Sequence, residues 1–256
     1  MASRSTARPD ALGPLRLCLR LAIAVVLLAA LLPAHMLWRL ARRPSPWPRR
    51  FLGGVARIFG AVTQSRGTPL RHDVFFVANH VSWLDILVMA GATGTAFVSK
   101  DDVARVPVIG WLARLNNTVF VARSDRRSVG AQVDSLRAAV SAHQPITIFP
   151  EGTTGDGETL LPFKAALLAV LSPPPRDMRV QPVRIDYGAA MSEIAWTGDE
   201  PGAENAKRVL ERRGRFRVRL TFLDPFDPVA VGGRKAIAAE AHARIAQAFA
   251  SSSPRV

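Results

Sequence analysis

Two loops of the sequence carry side chains that could move a proton. The first, residues 79–85, reads NHVSWLD and follows an apolar run. Histidine is the most common general base near neutral pH, and an aspartate can fix its tautomer and stabilise the imidazolium. Residues five apart on one regular helix are about 140° apart around its axis. We therefore expect His80 to lie in a turn, with a helix beginning at Ser82 so that Asp85 faces back toward His80.

The same spacing has a second interpretation. Ser82 and Asp85 match an S-x-x-D capping box, in which Asp85 would only accept hydrogen bonds from backbone N–H groups. The spacing alone leaves both interpretations open.

The second loop, residues 150–157, is glycine-rich and reads PEGTTGDG directly after another apolar run. Such a turn lets backbone N–H groups approach an anion closely. It is not a phosphate-binding P-loop, because the G-x4-G-K-[ST] pattern is absent. Taken by itself, the loop is equally consistent with a purely structural turn.

The sequence offers little for other kinds of catalysis. It has no G-x-S-x-G nucleophile elbow, and its single cysteine, Cys18, lies in an apolar stretch where it is expected to act as a small hydrophobe. One cysteine excludes an internal disulfide and a cysteine-based zinc site. We predict no metal site, because the other histidines show no paired ligand spacing: His35, His72, His143 and His242.

From Asp73 onward, short apolar runs alternate with helical patterns, which is typical of an α/β domain. The predicted strands are Val74–Ala78, Ala96–Ser99, Val119–Ala122, Ile146–Phe149, Val180–Ile185 and Val218–Phe222. The predicted helices are Trp83–Met89, Ser128–Ala142, Lys164–Leu171 and Lys235–Phe249. We predict an α/β fold with a mixed, mostly parallel sheet flanked by helices over residues 73–256. In open sheets of this kind, ligands bind in the loops that follow the strands.

Four sequence blocks in this domain resemble the lysophosphatidic acid acyltransferase family, the bacterial membrane-bound glycerolipid acyltransferases. His80 and Asp85 fall on its N-H-x4-D block, and Val119–Arg123 on its second block. Phe149–Thr153 and Val180–Val183 fall on its third and fourth blocks. Four blocks in order, spread over most of residues 70–190, are far more specific than any one of them.

The resemblance implies acyl transfer from acyl carrier protein or coenzyme A to a lysolipid hydroxyl, with no other cofactor. His80 would remove the hydroxyl proton and Asp85 would orient the imidazole, without a covalent protein intermediate. The substrate-binding residues expected from the resemblance are Lys100, Arg123, Glu151, Gly152 and Thr153.

The expected acceptor is 1-acyl-sn-glycerol-3-phosphate, which would place the enzyme in phospholipid biosynthesis. Two departures from the family pattern bear on this expectation. Asn117 stands where the second block often begins with glycine, and Thr154 stands where the third block often has an arginine thought to contact the acceptor phosphate. Another lysolipid, such as lyso-ornithine lipid, is therefore an alternative acceptor. An alternative of another class is a non-catalytic lipid-binding membrane protein.

Most of the positive charge lies at the N-terminus. Residues 1–72 contain twelve arginines and one acidic residue, Asp10, a net charge of +11 out of +14. A nucleic-acid-binding protein more often carries its cations on the folded domain among base-reading side chains. Here the arginines flank an apolar run, which favours an anionic membrane surface as the partner and no nucleic acid.

The apolar run extends from Leu21 to Trp38 and is interrupted only by Pro33 and His35. As a helix it would be about 27 Å long, close to the thickness of a hydrocarbon core. A cleaved signal peptide and a buried soluble helix fit less well, because no small-x-small site follows the run and arginines lie at both ends. We expect residues 1–72 to form a membrane-anchoring helical segment that spans or half-inserts into the bacterial inner membrane. The active site would lie on the cytoplasmic face.

A proline-rich connector, Arg42–Phe51, should interrupt the helix. Phe51–Val62 then has helical spacing, either as a core helix or as the second arm of a hairpin on the bilayer. Further along the chain, Lys207–Arg219 contains seven cations. This segment is either a solvated surface or a docking site for the acidic acyl carrier protein.

The N-terminal segment generates a test of how the protein is anchored. Each arginine near an anionic surface contributes roughly 1 kcal/mol, which salt screens, whereas insertion of the apolar run is not screened. We expect detergent to release the full-length protein from membranes and high salt or carbonate to leave it bound, as measured by sedimentation. Release by salt or carbonate alone would rule out insertion.

Overall fold

The computed structural model describes residues 11–121, 144–174 and 176–251, which form the predicted α/β fold together with helices N-terminal to it. The sheet begins before residue 73, the predicted start of the domain, because Ala61–Arg66 form its first strand. The helices are α1 Gly13–Leu40, α2 Trp47–Ile58, α3 Leu84–Thr93, α4 Asp101–Arg105, α5 Ile109–Leu115, α6 Met191–Ile194, α7 Gly202–Glu211, α8 Pro228–Val231 and α9 Arg234–Ala250. The strands are β1 Ala61–Arg66, β2 Val74–Ala78, β3 Ala96–Lys100, β4 Val119–Val121, β5 Ile146–Ile148, β6 Arg179–Asp186 and β7 Phe216–Phe222.

The described strands form one mixed sheet in the order β1-β7-β6-β2-β5-β3-β4. Strands β6, β2, β5, β3 and β4 are parallel to one another. Strand β7 is antiparallel to β6, and β1 is parallel to β7. The prediction of a mixed, mostly parallel sheet flanked by helices is therefore confirmed.

Strand β2 lies at the centre of this sheet, and all five of its residues are buried. Its alternate side chains enter two apolar layers. Val74 and Phe76 pack on the side of α2, α3 and α7, while Phe75 and Val77 pack on the side of α9 and the 3₁₀ helix Ala165–Leu171. Burial on both faces explains why the strand is a continuous apolar run in the sequence.

Two predicted helices differ from those in the structure, and one strand was not predicted. The second N-terminal helix begins at Trp47, inside the predicted connector, because Pro48 lies in its first turn, where no backbone N–H is needed. It ends at Ile58, and residues 61 and 62 belong to β1 instead. Strand β1 was not predicted because it is an edge strand in which only Ala61 is buried, so it shows no apolar alternation. The predicted helix Lys164–Leu171 is a 3₁₀ helix, Ala165–Leu171.

Helix α1 is a continuous 28-residue helix that passes through Pro33. It is long and apolar enough to cross a membrane, with a mean hydropathy of 2.5 in its most apolar window and none of that window buried. This exposure contradicts the alternative of a buried soluble helix. Leu17, Ala24 and Leu27 nevertheless pack against the domain core. The apolar side chains on the other side are exposed: Leu15, Leu19, Ile23, Val25, Val26 and Leu37.

Arginines at the start of α1 fasten it to the domain. Arg16 donates to the carbonyl oxygen of Glu211 at 2.9 Å, and Arg20 donates to that of Leu210 at 2.7 Å. Both acceptors lie at the C-terminal end of α7, where carbonyl groups lack partners within the helix and a cation is favourable.

Candidate active site

The site lies where three neighbouring parallel strands end. Strands β6, β2 and β5 are adjacent in the sheet and run in the same direction, so their carboxyl ends meet at one edge. Tyr187 follows β6, His80 lies two residues beyond β2, and Glu151 lies three residues beyond β5. Asn79 joins the first two of these strands, because its side chain exchanges hydrogen bonds of 2.7 and 3.0 Å with the backbone of Ile185.

His80 and Asp85 form the central contact of the site. The distance from His80 Nδ1 to Asp85 Oδ2 is 2.8 Å, with Asp85 fully buried and the histidine side chain 19% exposed. The same carboxylate oxygen accepts hydrogen bonds from the N–H groups of Val81 and Ser82. Asp85 thus accepts from backbone N–H groups of the turn, as the capping-box interpretation expected, but not from these alone, because it also holds the imidazole ring.

Tyr187 supports Asp85 from the opposite side and was missed by the sequence interpretation. Its fully buried hydroxyl donates to Asp85 Oδ1 at 2.6 Å. Burial, together with the Asp85 charge, raises the pKa of this phenol well above 10, so it remains a hydrogen-bond donor. The available signal was a sole tyrosine directly after a buried strand.

Glu151 joins the two loops. One oxygen accepts from the His80 N–H at 2.8 Å and the other from the Leu161 N–H at 3.3 Å. Burial raises the pKa of Glu151 from 4.5 to about 7, although the N–H groups of His80 and Leu161 lower it. Both oxygens of Glu151 thus hold backbone groups of the two loops in place.

The imidazole ring of His80 is held between fixed groups. It stacks on the Phe149 ring with centroids 4.1 Å apart and an interplanar angle of 13°. An ionised carboxylate can only accept hydrogen bonds, so Nδ1 must donate its proton to Asp85. The other nitrogen, Nε2, has no hydrogen-bond partner within the described part of the chain. A neutral ring in this orientation can accept a proton at Nε2, which is the requirement for a general base.

The glycine-rich loop packs against the His80 turn. The Gly155 N–H donates to the His80 carbonyl oxygen at 2.8 Å. Gly152 has φ of +69°, and a Cβ at this position would lie 2.8 Å from Lys164 Nζ, so the Lys164 ammonium lies beside the loop. Thr153 is exposed, whereas the Thr154 hydroxyl donates to the Trp196 carbonyl oxygen. Thr154 thus fastens the loop to the segment after α6.

The remaining predicted substrate-binding residues are Lys100 and Arg123. Lys100 is the last residue of β3, which places its backbone at the same edge of the sheet as His80. Arg123 lies outside the described residues, as do His143 and the predicted helix Ser128–Ala142. Within residues 11–121, 144–174 and 176–251, no group of three His, Cys, Asp or Glu side chains could hold a metal ion.

Comparisons with known proteins define the class of this fold and the family of the chain. A family model described as Acyltransferase matches residues 61–186. The chain also matches the 1-acyl-sn-glycerophosphate acyltransferase PlsC of Thermotoga maritima in fold, with a TM-score of 0.69 and 19% identity over 95% of this chain and 97% of that one.

Two relatives align along nearly their full length. The lyso-ornithine lipid O-acyltransferase of Rhodobacter capsulatus is 36% identical over 93% of this chain and 91% of its own length. The lyso-ornithine lipid O-acyltransferase of Brucella abortus is 33% identical over 89% of this chain and 91% of its own length. The 1-acyl-sn-glycerol-3-phosphate acyltransferase of Neisseria gonorrhoeae is 38% identical over 38% of each chain. The chain therefore belongs to the acyltransferase family that its four sequence blocks indicated.

The contact between Tyr187 and Asp85 generates a test of orientation. We expect Tyr187→Phe to leave Asp85 Oδ1 without its donor, costing about 1–3 kcal/mol of stability. We also expect turnover to fall on the order of tenfold, equivalent to about 1.4 kcal/mol of orientation. Thr93→Val is the matched control, because it also removes a buried hydroxyl, one that donates to Met89 within α3. It should lower stability but leave turnover unchanged; equal effects of both variants on turnover would refute a specific role for Tyr187.

The raised pKa of Glu151 generates a test of stability against pH. The folded protein holds this proton more tightly than the unfolded chain. The associated stability is present below pH 4.5, falls as the pH rises through about 7, and changes little above that value. We expect this component to amount to about 3 kcal/mol and to be absent from Glu151→Gln in unfolding measurements between pH 4.5 and 8.5. Glu204→Gln, at an exposed residue of α7, should retain the wild-type pH dependence. The prediction fails if Glu151→Gln retains it too.

Proposed function

We propose that this protein transfers an acyl chain from a thioester to the free hydroxyl of a lysolipid, with His80 as the general base. The observation that carries the proposal is the His80–Asp85 contact of 2.8 Å, which engages Nδ1 and leaves Nε2 of this 19% exposed side chain without a hydrogen-bond partner among the described residues. A lipid hydroxyl is a poor nucleophile at neutral pH, so a neutral imidazole must accept its proton during attack.

The reaction then needs no covalent intermediate with the protein. Nε2 takes the hydroxyl proton while the lipid oxygen attacks the thioester carbonyl carbon. The C–S bond breaks, and the departing sulfur receives that proton from the imidazolium. Asp85 stabilises the transient positive charge on the ring. The products are the acylated lipid and a free thiol, and His80 returns to its neutral form.

For the acceptor, we infer that lyso-ornithine lipid is the first candidate. Two relatives that carry this substrate in their names align over about nine-tenths of the chain. Thr154 supports the choice, since its hydroxyl is engaged by the Trp196 carbonyl and this position offers no cation to a phosphate. Ornithine is an amino acid, so its head group carries no phosphate. The second candidate is 1-acyl-sn-glycerol-3-phosphate, favoured by the match to the Neisseria protein over 38% of the chain.

The donor and the location are part of the same proposal. The donor is a thioester of acyl carrier protein or of coenzyme A. The exposed apolar side of α1 inserts into the bacterial inner membrane, and the active site works on its cytoplasmic face. With α2, which packs on α1, α1 forms a hairpin against the bilayer. A non-catalytic lipid-binding protein would have no need for a buried Asp85 that holds a histidine with a free nitrogen.

The experiment combines purified full-length protein in vesicles with an acceptor panel. The acceptors are lyso-ornithine lipid, 1-acyl-sn-glycerol-3-phosphate and a lysophosphatidylcholine, each with acyl carrier protein and coenzyme A thioesters as donors. Thiol release and the mass of the lipid product are measured. We expect fastest consumption of lyso-ornithine lipid. Preference for the glycerophosphate would select the second candidate, and no thiol release with any pair would favour the non-catalytic alternative.

Loss of the base tests the mechanism itself. We expect His80→Ala to reduce acyl transfer about 10³-fold, within the 10²–10⁴ range of general base catalysis, while the protein still sediments with membranes. His72→Ala is the control, because that side chain is 76% exposed and lies away from the sheet edge. Near-normal turnover by His80→Ala would overturn the mechanism.

A further inference from the structure

The turn between α4 and α5 and the first turn of α5 carry four large apolar side chains that are exposed, all within residues 106–111. We define the apolar α4–α5 patch as Val106, Val108, Ile109 and Trp111, which are 43%, 63%, 55% and 41% exposed. Isolated exposed apolar side chains are common on soluble surfaces, whereas larger groups of them mark contacts with a partner or a membrane. We propose that this patch is a second membrane-binding site, separate from helix α1.

The patch is displayed by a closely packed backbone. The Gly110 N–H donates to the Val106 carbonyl oxygen at 2.8 Å, and the Arg114 guanidinium donates to the Ala104 carbonyl oxygen at 3.2 Å. A Cβ at Gly110 would lie 2.3 Å from that same Ala104 oxygen, so α4 and α5 are in direct backbone contact. The apolar side chains therefore project from a fixed turn.

Val108 adds a conformational observation. Its φ is +64°, a region that β-branched residues adopt rarely. Such backbone conformations persist where the surrounding structure imposes them, and they occur frequently at functional sites. Here the unusual backbone presents a valine side chain to the outside, where a soluble surface would ordinarily have glycine or asparagine.

The chemistry around the patch favours lipid as its occupant. Helices α4 and α5 carry two arginines, Arg105 and Arg114, and two aspartates at the start of α4, Asp101 and Asp102. Arg105 is exposed and contacts Asp101, while Arg114 lies over the Phe120 ring. Exposed apolar side chains next to the long, 79% exposed Arg105 side chain suit a bilayer, because such a side chain can reach the interface while apolar groups enter the acyl region.

The patch also adjoins the membrane-anchoring helix. Leu112 and Leu115 on the inner side of α5 line a small apolar cavity of about 40 Å³ together with Leu28, Leu31 and Leu32 of α1. Helices α1 and α5, which both carry exposed apolar side chains, are therefore neighbours. The α4–α5 patch therefore lies on the helix next to the one expected to insert into the membrane.

A second membrane contact would fix the orientation of the domain relative to the bilayer. A protein held only by the α1–α2 hairpin can still tilt about the long axis of that hairpin, whereas a second, separate contact limits this tilt. Helix α4 begins at Asp101, directly after the last residue of β3, whose carboxyl end lies at the same sheet edge as His80. If the protein acylates lysolipids as proposed above, the patch holds this edge against the membrane that contains the acceptor.

The first experiment measures membrane contact independently of enzymatic activity. A fluorophore is attached to the natural Cys18 on α1, to Ile109→Cys in a Cys18→Ser background, or to Val229→Cys in the same background. Val229 is the matched control, because it is a 67% exposed apolar residue on α8. Each labelled full-length protein is bound to vesicles whose lipids carry a quencher in the acyl region. We expect quenching at positions 18 and 109 and little at 229; equal quenching at 109 and 229 would overturn the proposal.

The second experiment separates lipid binding from docking of a protein. The double variant Val108→Asn/Ile109→Asn removes apolar surface without adding charge, and Val229→Asn is its control. We expect about tenfold slower acylation of an acceptor embedded in vesicles, with an unchanged rate on a short-chain acceptor dissolved in water. A raised KM for the thioester donor with both acceptors, or a change in oligomeric state, would assign the patch to a protein partner instead. Absence of acyl transfer with any acceptor would contradict the proposed function, and the quenching result would still decide the patch.

Discussion

The buried carboxylate of Asp85 organises the active-site edge of the domain. Taking an ionised carboxylate out of water is costly unless hydrogen-bond donors compensate its charge. Asp85 is fully buried and accepts four hydrogen bonds, from the Val81 and Ser82 N–H groups, the Tyr187 hydroxyl and the His80 ring. The contacts that permit burial of the charge therefore also determine the direction of the imidazole. Removal of the hydrogen-bond donors to either Asp85 oxygen would loosen the His80 ring and also destabilise the fold.

The parts of this arrangement that depend on local pattern could be predicted from the sequence. Strand β2 was recognisable because both of its faces are buried, and the His80 and Glu151 loops follow strands that are parallel neighbours. The Tyr187 contact could not be predicted, because it joins residues 102 positions apart and depends on the position of β6 beside β2. Strand β1 could not be predicted either, because an exposed edge strand carries no apolar alternation.

The net charge of the N-terminal segment does not show how many of its arginines can face a membrane. Its arginines were expected to face an anionic membrane, yet Arg16 and Arg20 donate to carbonyl oxygens at the end of α7. Arg49 likewise donates to the carbonyl oxygens of Gly91 and Ala92 in the last turn of α3. Cations at helix C-termini compensate carbonyl groups that have no partner in the helix. Part of the segment's positive charge thus joins the apolar hairpin to the catalytic domain, and the net charge overstates what is available to lipid.

The claim that Asp85 holds His80 with Nε2 free for the acceptor proton is tested most directly by ¹⁵N NMR of histidine-labelled protein at alkaline pH. The His80 signals are assigned by their absence from the spectrum of His80→Gln. The account predicts a neutral ring that carries its proton on Nδ1, hydrogen-bonded to Asp85, and a mixture of tautomers in Asp85→Ala. A wild-type ring that carries its proton mainly on Nε2 would contradict it.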